Sequence, residues 1–375
     1  MTNKELKVQQ YLREDSMETF KGLSGLKEEY GIKYSFGTNF PELICLKYNQ
    51  IESPMGEEIV QECRGLILNV QDNWNIVSRP YDKFFNYGEG HAAPIDWNSA
   101  KVYEKLDGSL MTLYFYKGKW RVQTSGTVDA ECQVSGYDIT FKELFWQVFT
   151  SLEYLIPSHG EKELCFMFEL MTSKNRVVVR HPKDRLVLHG VRNITTGLYE
   201  PIEYWAQRFN WEACKLFSLS SIEEIIKASN NLDPLEQEGY ILEDANFNRI
   251  KVKSPSYVAL HHTRDSMSPR SMLNIIRTNE SVEFLNYFPE YKDLYSDTLI
   301  DYNRLIGTIE ATIKDIYKQG IQEDYKQIGL NTKNLFYKGS IFQIIRNNRS
   351  IKDILLEMPI KKLEDWISKL PDYSK

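Results

Sequence analysis

The hydrophobic period of this sequence changes once, near residue 263, and no other feature constrains the fold as strongly. Before that point, short apolar runs are separated by polar turns, which predicts strands mixed with a few helices. After it, apolar residues recur at steps of three and four, which predicts helices. We therefore expect a mixed unit over residues 1–262 and a small all-helical unit over residues 263–375.

Antiparallel sheets are expected in the first unit. Two pairs of runs are separated by short polar turns and predict hairpins: SLMTLYFY with WRVQTS, and GYILED with RIKVK. The remaining strand-like runs are ELICLKYN, RGLILNV, NIVSRP, CFMFELM, RVVV and RLVLHGV. The last three are almost continuously apolar, which predicts central strands. One amphipathic helix is expected from Phe141 to Leu152, before Pro157.

The second unit shows helical patterns only. An apolar stripe runs from Leu299 to Ile316 and is ended by Gly320. Ser350 and Asp353 predict a capping box for a following helix. A last stripe extends from Ile360 to Leu370, before Pro371.

Composition excludes several classes of protein. The five cysteines form no CxxC pair and the six histidines show no metal-ligand spacing, so we expect reduced thiols and no zinc site. No apolar run resembles a secretory signal or is long enough to span a bilayer. The sequence thus predicts a cytoplasmic protein with no membrane partner.

The net charge of −6 gives no support to a nucleic-acid partner, but two segments are basic. The first holds one aspartate, Asp184, among Lys174, Arg176, Arg180, Lys183, Arg185 and Arg192. The second, residues 325–352, has no acidic residue and contains Lys326, Lys333, Lys338, Arg346, Arg349 and Lys352, with interleaved aromatics. Such runs are either solvated surfaces or nucleic-acid footprints.

The pentapeptide Lys105-Leu106-Asp107-Gly108-Ser109 is the most informative short motif. A lysine before an Asp-Gly turn is held by the backbone, and its amine can attack phosphorus when it is deprotonated. Because Asp-Gly turns are common, this motif alone is weak evidence for catalysis.

Further motifs occur in a fixed order around it: Glu62-Cys63-Arg64-Gly65, Ser78-Arg79-Pro80-Tyr81-Asp82-Lys83-Phe84-Phe85-Asn86, Phe168-Glu169-Leu170, Glu238-Gly239-Tyr240-Ile241 and Lys251-Val252-Lys253. This set resembles the nucleotidyltransferase motifs of the ATP-dependent ligase and RNA-capping superfamily. The first two motifs and the Lys105 element resemble those of the phage RNA ligase 1 family in particular. The resemblance extends from Tyr48 to Tyr257 and implies an α+β nucleotidyltransferase (ATP-grasp-like ligase) domain.

The residues give independent support for triphosphate binding. The chain lacks the GxxxxGK[ST] pattern of a P-loop, so discrete cations would have to hold the phosphates of ATP. Lys251 and Lys253 alternate along a predicted strand and therefore project from the same face. A triphosphate would neutralise this pair.

The resemblance implies the following catalytic roles. Lys105 would attack the α-phosphorus of ATP, and Lys251 and Lys253 would stabilise the charge that develops there. Lys83 would reach the distal phosphates. Glu238 would help to hold a divalent metal, Mg²⁺ by default and Mn²⁺ as an alternative.

The resemblance also implies residues around the nucleotide. Glu169 would bind the ribose, Arg64 would lie beside the sugar, and Tyr48 would lie near the nucleotide. Tyr257 matches a family tyrosine and is a candidate RNA contact. Cys63, Phe84 and Phe85 are expected to be ordinary buried residues.

One position departs from the family pattern. The strand after the Lys105 hairpin carries a functional lysine in the phage family, and here Ser125 stands at that position. A serine supplies no cation, so either Arg121 or a residue elsewhere compensates, or the step served by that lysine differs.

The predicted function is therefore ATP-dependent joining of 5′-phosphate and 3′-hydroxyl RNA ends by a monomer, with a broken tRNA as the implied substrate. The alternatives are a DNA ligase, a capping nucleotidyltransferase, or a non-catalytic RNA-binding protein on a ligase scaffold. A β-rich OB domain typically follows the first two, and the helical tail here disfavours them. The tail is predicted to select the RNA, with Lys338, Arg346 and Arg349 as candidate contacts.

Overall fold

The computed structural model describes residues 5–14, 19–262 and 268–370, without the side chains of residues 19–21, 262 and 287. The chain forms two compact units, residues 1–261 and 262–375. None of the helices in the described ranges has the length and apolar character needed to cross a membrane.

The strands of the first unit form three sheets. In chain order they are β1 (Lys33–Phe36), β2 (Leu43–Lys47), β3 (Arg64–Asn69), β4 (Asn75–Ser78), β5 (Phe85–Asn86), β6 (Lys101–Lys105), β7 (Ser109–Tyr116), β8 (Lys119–Thr124), β9 (Leu164–Met171), β10 (Arg185–Asn193), β11 (Glu212–Ala213), β12 (Leu216–Phe217), β13 (Gly239–Glu243) and β14 (Arg249–Lys253). The sheet orders are β1-β2-β3-β4, β11-β10-β9-β7-β8 and β12-β6-β13-β14-β5. Most neighbouring strands are antiparallel.

The helices of the first unit pack against these sheets or against one another. They are α1 (Lys7–Glu14), α2 (Thr19–Tyr30), α3 (Glu58–Glu62), α4 (Phe141–Ser151), α5 (Ile202–Phe209), α6 (Ile222–Asn230) and α7 (Pro255–His262). The predicted helix is α4, and it begins with a capping box between Thr140 and Glu143. The largest core packs Phe145 of α4 against Phe168 of β9, and Phe168 in turn contacts Trp211.

The predicted hairpins β7–β8 and β13–β14 are confirmed, as is the central position of β9. The strand predicted for Arg176–Val179 is wrong, because these residues belong to the loop between β9 and β10. The backbone N–H groups of Val178 and Val179 donate to the carboxylate of Asp107, at 2.9 and 2.7 Å. This apolar run therefore hydrogen-bonds to a side chain and not to a neighbouring strand.

The second unit is helical in its described part. Its helices are α8 (Pro269–Arg277), α9 (Ser281–Tyr287), α10 (Lys292–Lys318), α11 (Tyr325–Asn331), α12 (Lys338–Asn347), α13 (Ile351–Glu357) and α14 (Ile360–Ser368). The long stripe lies on α10, and Gly320 follows its end with a φ of +68°. Ser350 caps α13 by accepting a hydrogen bond from the Asp353 N–H at 3.0 Å.

An ion pair between buried Arg192 and half-buried Asp82 fixes the segment that leads to β5. Arg192, only 4% exposed, donates to both carboxylate oxygens of Asp82 at 3.0 and 2.9 Å and to the carbonyl of Pro80 at 2.8 Å. Burial alone would raise the pKa of Asp82, but the charges of Arg192 and Arg79 outweigh it and lower that pKa. The pair therefore holds the chain on either side of Tyr81.

We expect Asp82→Asn to lower the free energy of unfolding by about 2 kcal/mol, because it leaves the Arg192 guanidinium buried without its counter-charge. The melting temperature should fall by roughly 4–8 °C. The exposed Asp184→Asn is the matched control and should melt like the wild type. Because the pKa of Asp82 is lowered, its contribution is present above its ordinary pKa and is lost as the pH falls through the lowered value. Equal melting of both variants at neutral pH would contradict the assignment.

Candidate active site

Lys105 and Glu238 meet because β6 ends where β13 begins. Lys105 is the last residue of β6 and lies opposite Gly239, the first residue of β13. The Lys105 Nζ donates to Glu238 Oε2 at 2.6 Å, and the Glu238 side chain is only 6% exposed. The predicted nucleophile is thus held by a buried carboxylate.

Gly239 makes this arrangement possible. Its φ of +158° is unfavourable for residues with a side chain, and a Cβ here would lie 2.2 Å from the Val252 carbonyl oxygen and 2.7 Å from the Lys253 Cα. Only glycine lets β13 approach β14 this closely. The approach also places Glu238 Oε1 3.9 Å from Lys253 Nζ.

Asp107 anchors the turn that follows Lys105. Its carboxylate accepts a hydrogen bond from the Tyr257 hydroxyl at 2.8 Å, in addition to those from Val178 and Val179. Tyr257 is only 3% exposed. The structure therefore places this candidate RNA contact beneath the Lys105 turn, where it positions Asp107.

Cations crowd around Lys251, which lies on the same face of β14 as Lys253. Desolvation lowers the pKa of Lys251 well below its ordinary value, and the charges of Lys253, Lys83, Lys105 and Arg64 lower it further. The Nη1 of Arg64 is buried and has no hydrogen-bond partner in the described part of the chain. An anion bound here would satisfy Arg64 and relieve the repulsion on Lys251.

Tyr48 and Lys83 lie together at the edge of this cluster. The Lys83 Nζ is 4.9 Å from the centre of the Tyr48 ring. Burial alone would raise the pKa of Tyr48, but the charges of Arg64, Lys83 and Lys47 and a hydrogen bond with Lys83 outweigh it and lower that pKa. The phenol thus lies in a strongly positive field.

These groups surround a cavity of about 310 Å³ within the first unit. The predicted site residues that line it are Arg64, Lys105, Glu169, Glu238, Lys251 and Lys253. Tyr48, Lys83 and Tyr257 do not line it. The structure therefore brings most of the predicted residues into one cavity, with the others beside or beneath it.

Glu169 is the one position of β9 that is not fully buried. Its Oε2 lies 3.5 Å from His189 Nε2, without the geometry of a hydrogen bond. The other ring nitrogen of His189 is 3.0 Å from the Tyr81 hydroxyl, and the two rings stack. The Glu169 carboxylate thus lies beside the His189 ring and lines the cavity.

Sequence reasoning missed several residues of the cavity wall, among them Tyr81, Glu104, His189 and Arg249. One signal was available. His189 and Gly190 interrupt an apolar strand, and a Cβ on Gly190 would lie 2.0 Å from the Tyr81 hydroxyl. Gly190 therefore leaves space for the Tyr81 side chain in the cavity wall.

The expectation for the aromatic pair after Lys83 is confirmed for one residue and wrong for the other. Phe85 is buried, as is Cys63. Phe84 lines the cavity, and the guanidinium of Arg64 lies 4.9 Å from the centre of its ring.

Another cation stands beside Ser125. The Lys47 Nζ donates to the Ser125 hydroxyl at 3.3 Å, and Lys47 lies opposite Arg64 in the β2–β3 ladder. Arg121 instead stacks on Phe40 at 4.2 Å and donates to the Tyr116 carbonyl. The sequence offered Arg121 or a residue elsewhere as the source of the cation missing at Ser125. The structure favours a residue elsewhere, namely Lys47.

The three candidate RNA contacts of the second unit differ in their surroundings. Lys338 donates to the Gly329 carbonyl, and Arg346 is exposed beside the Tyr325 ring. Arg349 forms an ion pair with Glu357 at 2.7 Å. The positive charge of residues 325–352 is therefore partly offset by Glu357, which follows this stretch.

No group of three or more potential metal ligands of the His, Cys, Asp or Glu type occurs among the described residues. Glu238 faces the cation cluster with both carboxylate oxygens. Mg²⁺ commonly uses one or two carboxylates and completes its shell with phosphate oxygens and water. The site fits a metal that enters together with phosphates.

A cluster of cations around a lysine amine suits a polyphosphate ligand. Comparison with known proteins agrees: the sequence profile of a family described as RNA ligase matches residues 62–257, slightly more than half of the chain. The chain belongs to this family, the phage-type RNA ligase 1 family.

Three individual proteins are similar to this chain, each at 29% identity or below. An RNA ligase of Rhodothermus phage RM378 is 25% identical, with 77% of this chain and 76% of that protein covered. A protein of Autographa californica nuclear polyhedrosis virus, named as a bifunctional polynucleotide kinase/RNA ligase, is 29% identical over 73% of this chain, which spans only 41% of that protein's length. An archaeal ATP-dependent RNA ligase structure has a TM-score of 0.47 at 12% identity, with 83% of each chain covered.

We expect Lys251→Met to stabilise the free protein, because it removes the charge that the folded state desolvates and crowds. The melting temperature at neutral pH should rise by about 2–4 °C, the change that ~1 kcal/mol produces in a domain of this size. Since the pKa of Lys251 is lowered on folding, the unfolded chain binds more protons, and wild-type stability rises with pH above the lowered value. The difference in melting temperature between the variant and the wild type should therefore become smaller as the pH approaches 10.5, the ordinary pKa of lysine.

Lys253→Met is the matched control, since it removes the same charge from a lysine that lies near Glu238. It should stabilise the protein less. If Lys251→Met melts below the wild type, the lysine is held by favourable contacts and the crowding argument is wrong.

Proposed function

We propose that the protein is an ATP-dependent RNA ligase that joins 5′-phosphate and 3′-hydroxyl ends through a lysine–AMP intermediate on Lys105. The observation that carries this proposal is the position of the Lys105 amine, bonded to Glu238 at 2.6 Å and facing the Lys251 and Lys253 side of one cavity. Membership of the RNA ligase family supports the same reaction.

The first step is attack of the neutral Lys105 amine on the α-phosphorus of ATP. A nitrogen–phosphorus bond forms, the bond to the bridging oxygen breaks, and pyrophosphate leaves while the amine gives up a proton. Lys251 and Lys253 stabilise the charge on the α-phosphate, an effect that is strong in a partly desolvated site. Glu238 orients the amine before attack and must release it.

The second and third steps move AMP and then expel it. An oxygen of the RNA 5′-phosphate attacks the phosphorus of lysine–AMP, and the Lys105 amine leaves and regains a proton. The RNA 3′-hydroxyl then attacks the 5′-phosphate, a phosphodiester forms, and AMP departs with the bonding electrons.

The remaining side chains fit the nucleotide and its metal. Glu169 binds the ribose hydroxyls, Arg64 contacts the sugar and a phosphate, and Lys83 reaches the distal phosphates beside Tyr48. Glu238 would hold Mg²⁺ or Mn²⁺ directly or through water, and the ion would screen phosphate charge.

The helical second unit disfavours a DNA ligase or a capping enzyme, which typically append a β-rich domain. The complete set of Lys105, Glu169, Glu238 and the Lys251–Lys253 pair disfavours a non-catalytic scaffold. A broken tRNA is the substrate we propose, acted on by a monomer. The free cysteines support a reducing compartment such as the cytoplasm.

The test of the nucleophile is covalent labelling with α-labelled ATP and Mg²⁺. The wild type should acquire a covalent label that survives denaturing electrophoresis and alkali but is released by acid, as expected for a phosphoramidate, and Lys105→Ala should abolish it. Lys105→Arg should be equally inactive, because a guanidinium is essentially never deprotonated. Exposed Lys119→Arg is the control and should label fully. Labelling of both Lys105 variants would disprove the proposed nucleophile.

A further test concerns the second unit, which we propose selects structured RNA. Replacing Lys338, Arg346 and Arg349 with glutamate in the full-length protein should leave lysine–AMP formation unchanged. Sealing of a broken tRNA-like hairpin should fall by about tenfold at 0.15 M salt, since each lost phosphate contact weakens binding. Sealing of unstructured single strands should fall less. Equal loss of adenylylation and sealing would show that the second unit only supports the fold.

A further inference from the structure

The loop between β9 and β10, residues 172–184, is fastened to the turn that follows Lys105. The Asp107 carboxylate accepts hydrogen bonds from Val178 and Val179, and the Asp107 carbonyl is 2.9 Å from His181 Nε2. Asn175 donates from the other side to the Ser109 hydroxyl at 2.9 Å. The loop is thus tied to residues on both sides of Gly108, within four positions of the nucleophile.

The interior of the loop is fixed as well. The Asn175 amide also donates to the Leu170 carbonyl, and its oxygen accepts from the backbone and the hydroxyl of Thr172. The Arg180 N–H donates to the Leu235 carbonyl at 2.9 Å. A surface held in this way loses little conformational freedom when it binds a partner.

Four cations project from this fixed backbone: Lys174, Arg176, Arg180 and Lys183. All are exposed, and in the described part of the chain none of them forms an ion pair with a carboxylate. The arginines at and beyond the end of the loop differ, because Arg185 pairs with Glu212 and Arg192 with Asp82. The positive charge of the loop is therefore available to an external anion.

We propose that this loop is a docking surface for the sugar–phosphate backbone of the RNA, next to Lys105. The inference rests on the proposed ligase function and adds the path of its substrate. An extended polyanion fits better than a single phosphate, because the four cations are spread along an exposed loop outside the cavity wall. The half-buried cations that line the cavity remain for ATP.

The docking surface also connects binding to chemistry. RNA phosphates held by residues 174–183 lie on the loop that Asp107 and Ser109 anchor, so the strand is guided toward the amine that carries AMP. Asp107 accordingly has two tasks: it shapes the turn behind the nucleophile and supports the RNA-binding loop.

The test is the full-length variant Arg176→Glu/Arg180→Glu. Its matched control is Lys119→Glu/Lys162→Glu, which changes the net charge equally at exposed lysines elsewhere in the first unit. Binding of a 5′-phosphorylated single-stranded RNA should be measured by fluorescence anisotropy from 50 to 300 mM salt. Lysine–AMP formation and sealing of pre-adenylated RNA without ATP should be measured on the same preparations.

We expect the loop variant to form lysine–AMP within twofold of the wild type. Its RNA affinity and its sealing of pre-adenylated RNA should fall at least tenfold at 0.15 M salt. The slope of log K against log salt should become shallower by about 1.4, which corresponds to two lost phosphate contacts with a single strand. The control should retain the wild-type affinity and slope.

Unchanged RNA affinity and slope in the loop variant would overturn the proposal, as would an equal loss in the control. Loss of adenylylation together with RNA binding would also overturn it, because the loop would then serve the ATP step or the fold. If the melting temperature drops, Arg176→Gln/Arg180→Gln must show the same pattern at half the charge change.

Failure of the proposed function gives a different result. A wild-type protein that forms no lysine–AMP and seals no ends refutes the ligase proposal. The anisotropy experiment would then still report whether the loop binds RNA.

Discussion

The structure of the site depends on the bond between Lys105 and Glu238. In the free protein the Lys105 Nζ donates to the Glu238 carboxylate at 2.6 Å, so the proposed nucleophile is engaged in a hydrogen bond. An amine held in this way must be released before it can attack phosphorus. In the reaction we propose, a cation that arrives with the phosphates competes for the oxygens of Glu238 and frees the amine, so nucleotide binding and activation of Lys105 would be coupled through one side chain.

This coupling has a structural cost. Arg64, Lys251 and Lys253 line the cavity with Lys105, and Lys83 lies beside it. Desolvation already lowers the pKa of Lys251 before these charges act. Gly239 brings two strands close enough for Glu238 to offset part of the charge. The cations repel one another in the empty site, and an anionic ligand neutralises them. Relief of this repulsion contributes to the free energy of binding. Functional sites often oppose stability in this way, with the rest of the fold compensating.

Much of this could be read from the sequence, because motifs record local chemistry. Lys105, Glu238 and the Lys251–Lys253 pair were identified from short patterns, and the structure places them in one cavity. Long-range partners leave no such pattern. Tyr81 and His189 meet across 108 positions, and nothing in the spacing of either indicates the other. The same limit explains the error at Arg176–Val179. A run of valines favours a strand, but the Asp107 carboxylate accepts its backbone N–H groups, and no local rule predicts that acceptor.

The two kinds of positive charge in the first unit differ physically. Cations in the cavity, such as Lys251, are desolvated, so their interaction with a triphosphate is only weakly screened by salt. Cations on the 172–184 loop are exposed, and their attraction for phosphate decays within a Debye length of about 8 Å at physiological ionic strength. The ATP step should therefore tolerate salt that weakens the RNA steps. Asp107 touches both environments, since it shapes the Lys105 turn and anchors the loop. The desolvated cations of the cavity suit a small, enclosed ligand. The exposed cations of the loop suit a long strand that must bind, slide into register and leave.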